Sequence, residues 1–191
     1  PITWLPGVQN NGEGIFFSLS EKKLREWEEQ KEVKVRFEGL RENYITSVEK
    51  QKRSKSEYIM DTFSRPRYVL LHTLSHLLVR QLSMGSGYHE GDIKERIYHS
   101  KNTNGVMLYT ASVSSQGSLG GLVRIGEGKR FLKILKDSIK QSTRCSRDPM
   151  CFENNPEKIK KAGIITSNMG GSSCYSCTLL PETSCENFNN L

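Results

Sequence analysis

RPRYVLLHTLSHLLVRQL, residues 65–82, is the stretch on which the fold turns. Wound at about 100° per residue, it places Leu70, Leu71, Leu74, Leu77, Leu78 and Leu82 on one broad face and gathers His72, Thr73, His76 and Arg80 on the opposite side. So wide an apolar face needs other elements against it, which makes this the expected central core helix. MGSGY, residues 84–88, ends it.

Upstream, residues 1–20 mix Pro, Gly and Asn turn residues with Ile15, Phe16 and Phe17, the composition of a turn delivering one short strand to a sheet. Ser20 reads as a helix N-cap, and residues 21–32 carry Leu24 and Trp27 at helical spacing among Glu, Lys and Arg, giving a surface helix with one apolar edge. From residue 33 to 57 charge dominates and apolar content is low. This segment is either a solvated helix or connection, or a basic arm whose Lys50, Lys52, Arg53 and Lys55 meet phosphates.

Downstream, residues 92–98 read as a second, shorter helix, Asn104-Gly105 as a turn, and VMLYTASV as a buried strand. SSQGSLGGL then forms a glycine-rich loop opening onto a helix. Residues 129–141 set Phe131, Leu132, Leu135 and Ile139 on one side of a further amphipathic helix. The expected class is mixed α/β (α+β): a small sheet packed with helices, followed by a cysteine-rich, metal-bound lobe. The core is expected over 1–142, with a charged helical segment at 21–57, and the lobe over 143–191.

A chain of 191 residues can bury one core without disulfides, and its five cysteines, an odd number clustered late, argue for metal or free thiols. The formal charge of +7 and pI of 9.2 favour an anionic partner, of which nucleic acid is the commonest. No run approaches the roughly 18–20 apolar residues of a membrane span, and no leader opens the chain. The expectation is a soluble, cytoplasmic protein with no membrane partner. With Pro1 first and Leu191 directly after the cysteine-rich segment, it is read as a C-terminal piece of something larger.

The cysteines run Cys145-x5-Cys151 and then Cys174-x2-Cys177-x7-Cys185. A C-x2-C pair lets both thiolates reach one tetrahedral ion at about 2.3 Å, and neighbouring cysteines complete the shell. The competing reading is buried free thiols. Cys174 and Cys177 are the firmest candidates, and Cys185 follows closely enough to join the same ion. The fourth ligand comes from Cys151, favoured because the Asp148-Pro149 turn presents it, with Cys145 as the alternative. Four sulfurs leave no open position, so such a Zn2+ holds structure.

Three patterns fail on their chemistry. HTLSH spaces His72 and His76 like a metalloprotease H-E-x-x-H, but Thr73 stands where the general base is needed. GLVRIGEGK lacks the Lys-Ser/Thr of a phosphate loop, and His99-x-Lys101 meets Val106 where a phospholipase D-type nuclease needs Asp. His72 and His76 are therefore either buried hydrogen-bonders or, with Arg80, a polar stripe facing a ligand or partner. In SSQGSLGG, Gly117 and Gly120 either free amides for a phosphate or make a tight strand-to-helix turn.

Taken in order, LPGVQNNGEGIFF, RYVLLHTLSHLLVRQL, GVMLYTASVSSQGSLGGLVRIG, CSRDPMC and CYSCTLLPETSCENFN resemble the C-terminal domain of the DrmB family, helicase-associated subunits of bacterial DISARM antiphage defence. The sequence is similar, more distantly, to the zinc-binding domain of MrfA-type DNA-repair helicases. The resemblance implies a non-catalytic, zinc-stabilised companion of a superfamily 2 helicase that contributes to DNA binding, with Cys151, Cys174, Cys177 and Cys185 as ligands or Cys145 replacing one. Two alternatives stand beside it. One is a nuclease or hydrolase built on His72 and His76, ranked lower because no carboxylate aligns with them; the other is an assembly domain that never touches DNA.

Overall fold

The computed structural model describes residues 4–5, 7, 11–50, 65–100, 103–110, 120–149, 151 and 174–189. Three antiparallel strands, β1 (Gly14–Phe17), β2 (Ile93–Tyr98) and β3 (Gly105–Thr110), form one sheet in the order β1-β3-β2. The helices are α1 (Glu21–Glu28), α2 (Lys31–Lys50), α3 (Pro66–Ser86), α4 (Gly121–Gly126) and α5 (Gly128–Gln141). α3 packs across the sheet, with α4 and α5 against it.

Alternation sets the sheet. Ile15 in β1, Val106 and Leu108 in β3, and Ile93 and Ile97 in β2 turn inward, while Phe16 and Tyr98 meet edge to face on the outer surface. Residues 92–98, expected as a helix, are therefore strand from Ile93 on, with Asp92 ending a short 3-10 turn. Ile93, Glu95 and Ile97 recur with period two and all three are buried. Glu95 lies beside Leu108 and Ile15 beside Leu108 from the other edge, so one carboxylate stands in an otherwise apolar row.

α3 is the core helix the pattern predicts. Pro66 starts it after an extended Arg65, and Gly87, at φ 81°, ends it in the left-handed region that favours glycine. Leu71, Leu78, Val79 and Leu82 are fully buried, and together with Tyr68, Leu74, Leu122, Ile125 and Leu180 they line the core. The opposite side is not a solvent face: His72, Ser75 and His76 are also buried, because residues 174–189 close over them. No helix among the described residues is long and apolar enough to cross a membrane.

The flanking helices depart from expectation in detail. Ser20 sits at the N-cap of α1 without a side-chain cap bond, its carbonyl instead taking the Leu24 N–H at 2.9 Å. α2 runs through the charged segment and buries Phe37 and Tyr44, two turns apart. In α5, Phe131, Ile134 and Leu135 pack inward, whereas Leu132 and Ile139, expected on the inner side, are exposed because the helix is rotated towards Phe17.

Arg67, almost fully buried at the start of α3, ties α1 to the core. Its guanidinium forms a two-pronged pair with Glu28 (2.8 and 2.6 Å) and reaches both oxygens of Glu21 (3.1 and 3.2 Å). Removing it takes the guanidinium from Glu28 and leaves Glu21 with Arg25 and Asn104. Arg67→Ala should cost about 3 kcal/mol or more, read by chemical denaturation. The Glu21 carboxyl is drawn down from 4.5 to about 2, first by the hydrogen bond from Arg25, then by Asn104 and Arg67 against the cost of burial. Its contribution is fully present above pH 4.5 and disappears as pH falls towards 2, so Glu21→Gln should flatten acid unfolding in that window.

Candidate metal centre

Two groups of metal-capable side chains stand where the core meets the C-terminal segment. The first is built from two turns. After α5, the Cys145 N–H donates to Asp148 Oδ2 at 2.8 Å, the Asp148 N–H returns to the Cys145 carbonyl at 3.1 Å, and the Cys151 N–H reaches the Arg147 carbonyl at 3.3 Å. In the second turn the Cys174 carbonyl accepts from the N–H groups of Cys177, Thr178 and Leu179 at 3.1, 2.9 and 3.1 Å. Arg80 braces that turn from α3, donating to the carbonyls of Tyr175, Ser176 and Leu179 at 3.1, 3.3 and 3.3 Å.

These turns bring Cys145 Sγ to 3.6 Å from Cys174 Sγ, and Cys177 Sγ to 3.7 Å from both Cys151 and Cys174. Sulfurs at the corners of a zinc tetrahedron with bonds of about 2.3 Å lie about 3.8 Å apart. The fit is to a metal, since a disulfide needs about 2.05 Å and all five cysteines are free. Burial pushes the Cys151 thiol up. It opposes ionisation of Cys174 too, but the Ser176 N–H and the neighbouring thiols bring that group down to about 7. Four thiolates this close need a cation among them.

Cys185 belongs to the second group. The spacing argument put it with Cys174 and Cys177 and left the fourth place to Cys151 or Cys145, whereas the structure groups both Cys145 and Cys151 with Cys174 and Cys177 and sets Cys185 against His72, 3.1 Å from Nε2. The seven residues after Cys177 carry the chain away from the first cluster: Leu180 enters the core and the Ser184 hydroxyl donates to the Glu90 carbonyl at 2.7 Å. His72 and His76 each bring Nε2 to Glu95 Oε1, at 3.2 and 3.3 Å. Burial opposes the charge on Glu95, but the two imidazoles beside it hold its carboxyl well below the usual range.

A family model described as the MrfA Zn-binding domain matches residues 74–178, a span that covers more than half of the chain and contains Cys145, Cys151, Cys174 and Cys177. The chain belongs to the MrfA Zn-binding domain family. Zinc is accordingly the ion to which the four-thiol cluster points. The chain is also 38% identical, over 189 residues, to the DISARM protein DrmB of Bacillus paralicheniformis, covering 98% of this chain and 32% of that relative. The chain thus spans well under half of the relative's length.

Several predicted contact residues of this MrfA-type domain turn inward. Arg80 is engaged by the cysteine turn, and His72 and His76 are closed off from solvent. The carboxylate whose absence argued against an enzyme is present, supplied by β2 as Glu95. Even so, Cys185 and Glu95 approach the same nitrogen of His72, whereas a thiol–imidazole–carboxylate relay needs them on opposite nitrogens. Lys52, Arg53, Lys55 and Gly117 lie outside the described residues, as does the side chain of Lys50. The sequence signal that could have found Glu95 is its inward position between Ile93 and Ile97.

Gly120, at φ 130°, leads into α4, but the amides it frees already have an anion. Glu13, a residue the sequence reading did not single out, accepts from the Leu122 and Val123 N–H groups at 3.1 and 3.0 Å and from the Tyr88 hydroxyl at 2.6 Å. Burial works to raise the Glu13 carboxyl, and these hydrogen bonds lower it by more. At the Gly120 end of this turn the amides therefore meet an internal carboxylate, and the rest of the loop proposed for phosphate lies outside the described residues. Glu13→Gln should destabilise the protein by about 1–3 kcal/mol, measured by thermal or chemical unfolding.

Proposed function

We propose that this chain is a zinc-stabilised, non-catalytic module that works with a superfamily 2 DNA helicase in DISARM-type antiphage defence and contributes basic surface to DNA binding. The observation that carries it is the four-thiol cluster within a MrfA Zn-binding domain, in a chain 38% identical to a DISARM protein. Cys145, Cys151, Cys174 and Cys177 would hold the ion. Bound there, zinc supplies a closed structural cross-link and no reactive site.

The chain's own residues supply the rest of the reading. Lys129, Lys133, Lys136 and Lys140 are exposed on α5 and fall within roughly 60° of arc. Arg144 and Arg147, also exposed, continue the basic surface to the Cys145 turn. The thiol cluster anchors the end of this stripe, so the turn keeps its cations in a set position relative to the core. Such a row neutralises phosphates by charge and reads no bases.

The test is DNA binding by the full-length protein, titrated at several salt concentrations. Wild-type affinity should fall steeply with salt, and a Lys133→Ala, Lys136→Ala, Lys140→Ala variant should bind at least tenfold more weakly, with a shallower salt slope. An unchanged affinity and slope in the variant would leave the stripe without this role and favour a pure assembly domain.

A further inference from the structure

We infer that His72, His76, Glu95 and Cys185 form a second metal site, closed and structural, that takes a divalent ion of the zinc type. The four donor atoms lie within 4.8 Å of one another, and each residue is more than nine-tenths buried. None of them belongs to the four-thiol cluster. His72 and Cys185 also fall outside the span matched by the family model, which runs from residue 74 to 178.

The hydrogen-bonding geometry of the group suits a cation at its centre. The Thr178 carbonyl, which can only accept, lies 3.0 Å from His76 Nδ1, so the ring proton is on Nδ1. In the neutral imidazole Nε2 is then a bare lone pair, and it points at a carboxylate oxygen 3.3 Å away. In that form two acceptors face each other. At His72, one Nε2 faces both Cys185 Sγ at 3.1 Å and Glu95 Oε1 at 3.2 Å, more than a single N–H can serve. A metal ion among the four satisfies every lone pair at once. Nitrogen, oxygen and sulfur ligands of a zinc tetrahedron lie about 3.3–3.6 Å apart, close to these spacings.

The surroundings are those of held ligands. His76 donates its second nitrogen to a backbone carbonyl, the arrangement that orients metal-binding imidazoles. Glu95 is fixed through both oxygens, Oε1 by the Glu186 N–H at 3.3 Å and Oε2 by the Ser75 hydroxyl. Cys185 Sγ accepts from the Asn187 and Asn189 N–H groups at 3.4 and 3.3 Å. The contact two residues on repeats the one that Cys145 Sγ makes with the Arg147 N–H at 3.4 Å in the four-thiol cluster. A divalent cation with one thiolate, one carboxylate and two neutral imidazoles also sums to zero charge, which suits a dry site. Thiolate and imidazole donors select zinc-type ions over magnesium or calcium.

The experiment is metal analysis of the full-length protein by mass spectrometry, with zinc X-ray absorption on the wild type. Cys185→Ala and Glu95→Gln should each lose about one metal per chain, Cys145→Ala should lose a different one, and the Cys145→Ala, Cys185→Ala double variant should lose about two. Retention of the wild-type count by both Cys185→Ala and Glu95→Gln would overturn the second site and leave an imidazolium–carboxylate cluster, whatever Cys145→Ala does. Should the variants fail to fold, the wild-type absorption decides: a mixed sulfur and nitrogen/oxygen shell is expected, and an all-sulfur shell refutes the site.

Discussion

A single buried carboxylate, Glu95, constrains the rest of the structure. Strand β2 places it in the row with Leu108 and Ile15, where water cannot reach it, and a charge in that position must be met by groups from outside the sheet. His72 and His76 meet it from α3, Ser75 holds its second oxygen, and the Glu186 N–H comes from the C-terminal segment. The side of α3 that faces residues 174–189 is polar for this reason. It is an internal seam.

Around that seam the C-terminal segment is fastened at several points. Leu180 fills the core, and Asn189 bonds both the N–H and the carbonyl of Leu180. Glu186 accepts from the Tyr68 hydroxyl and the Ile97 N–H, while Asn187 reaches Tyr68. Thr178 joins the two groups of ligand-type side chains: its hydroxyl donates to Cys177 Sγ at 3.3 Å and its carbonyl accepts from His76. The four-thiol turn is thus linked to Glu95 through Thr178 and His76. Arg80 adds a parallel brace to the same turn.

This coupling bears on how a basic surface is presented. α5 leads from its exposed lysines directly into the Cys145 turn, which packs against the Cys174–Cys177 turn, which in turn rests on α3. Cation positions along α5 are thus referred to the core by sulfur and hydrogen-bond geometry at one end and by Phe17 against Phe131 at the other. Glu13, meanwhile, occupies the α4 amides that a phosphate would otherwise seek.

The core helix, the existence of strands β1 and β3, and the proximity of Cys174 to Cys177 were legible in the sequence, because each follows from local composition, periodicity or a spacing of a few residues. Residues 92–98 were misread because a six-residue alternation is too short to stand out from a helical turn. Spacing could not show that Cys145 and Cys151 both stand with the C-x2-C pair while Cys185 stands apart, since all three lie within reach of that pair along the chain. That grouping follows where Leu180 and Ser184 anchor the segment. Glu95 between two histidines, Arg67 between two glutamates and Glu13 on the α4 amides pair residues 19 to 110 positions apart. Such pairs exist only once packing has removed water and each charge must find its partner inside.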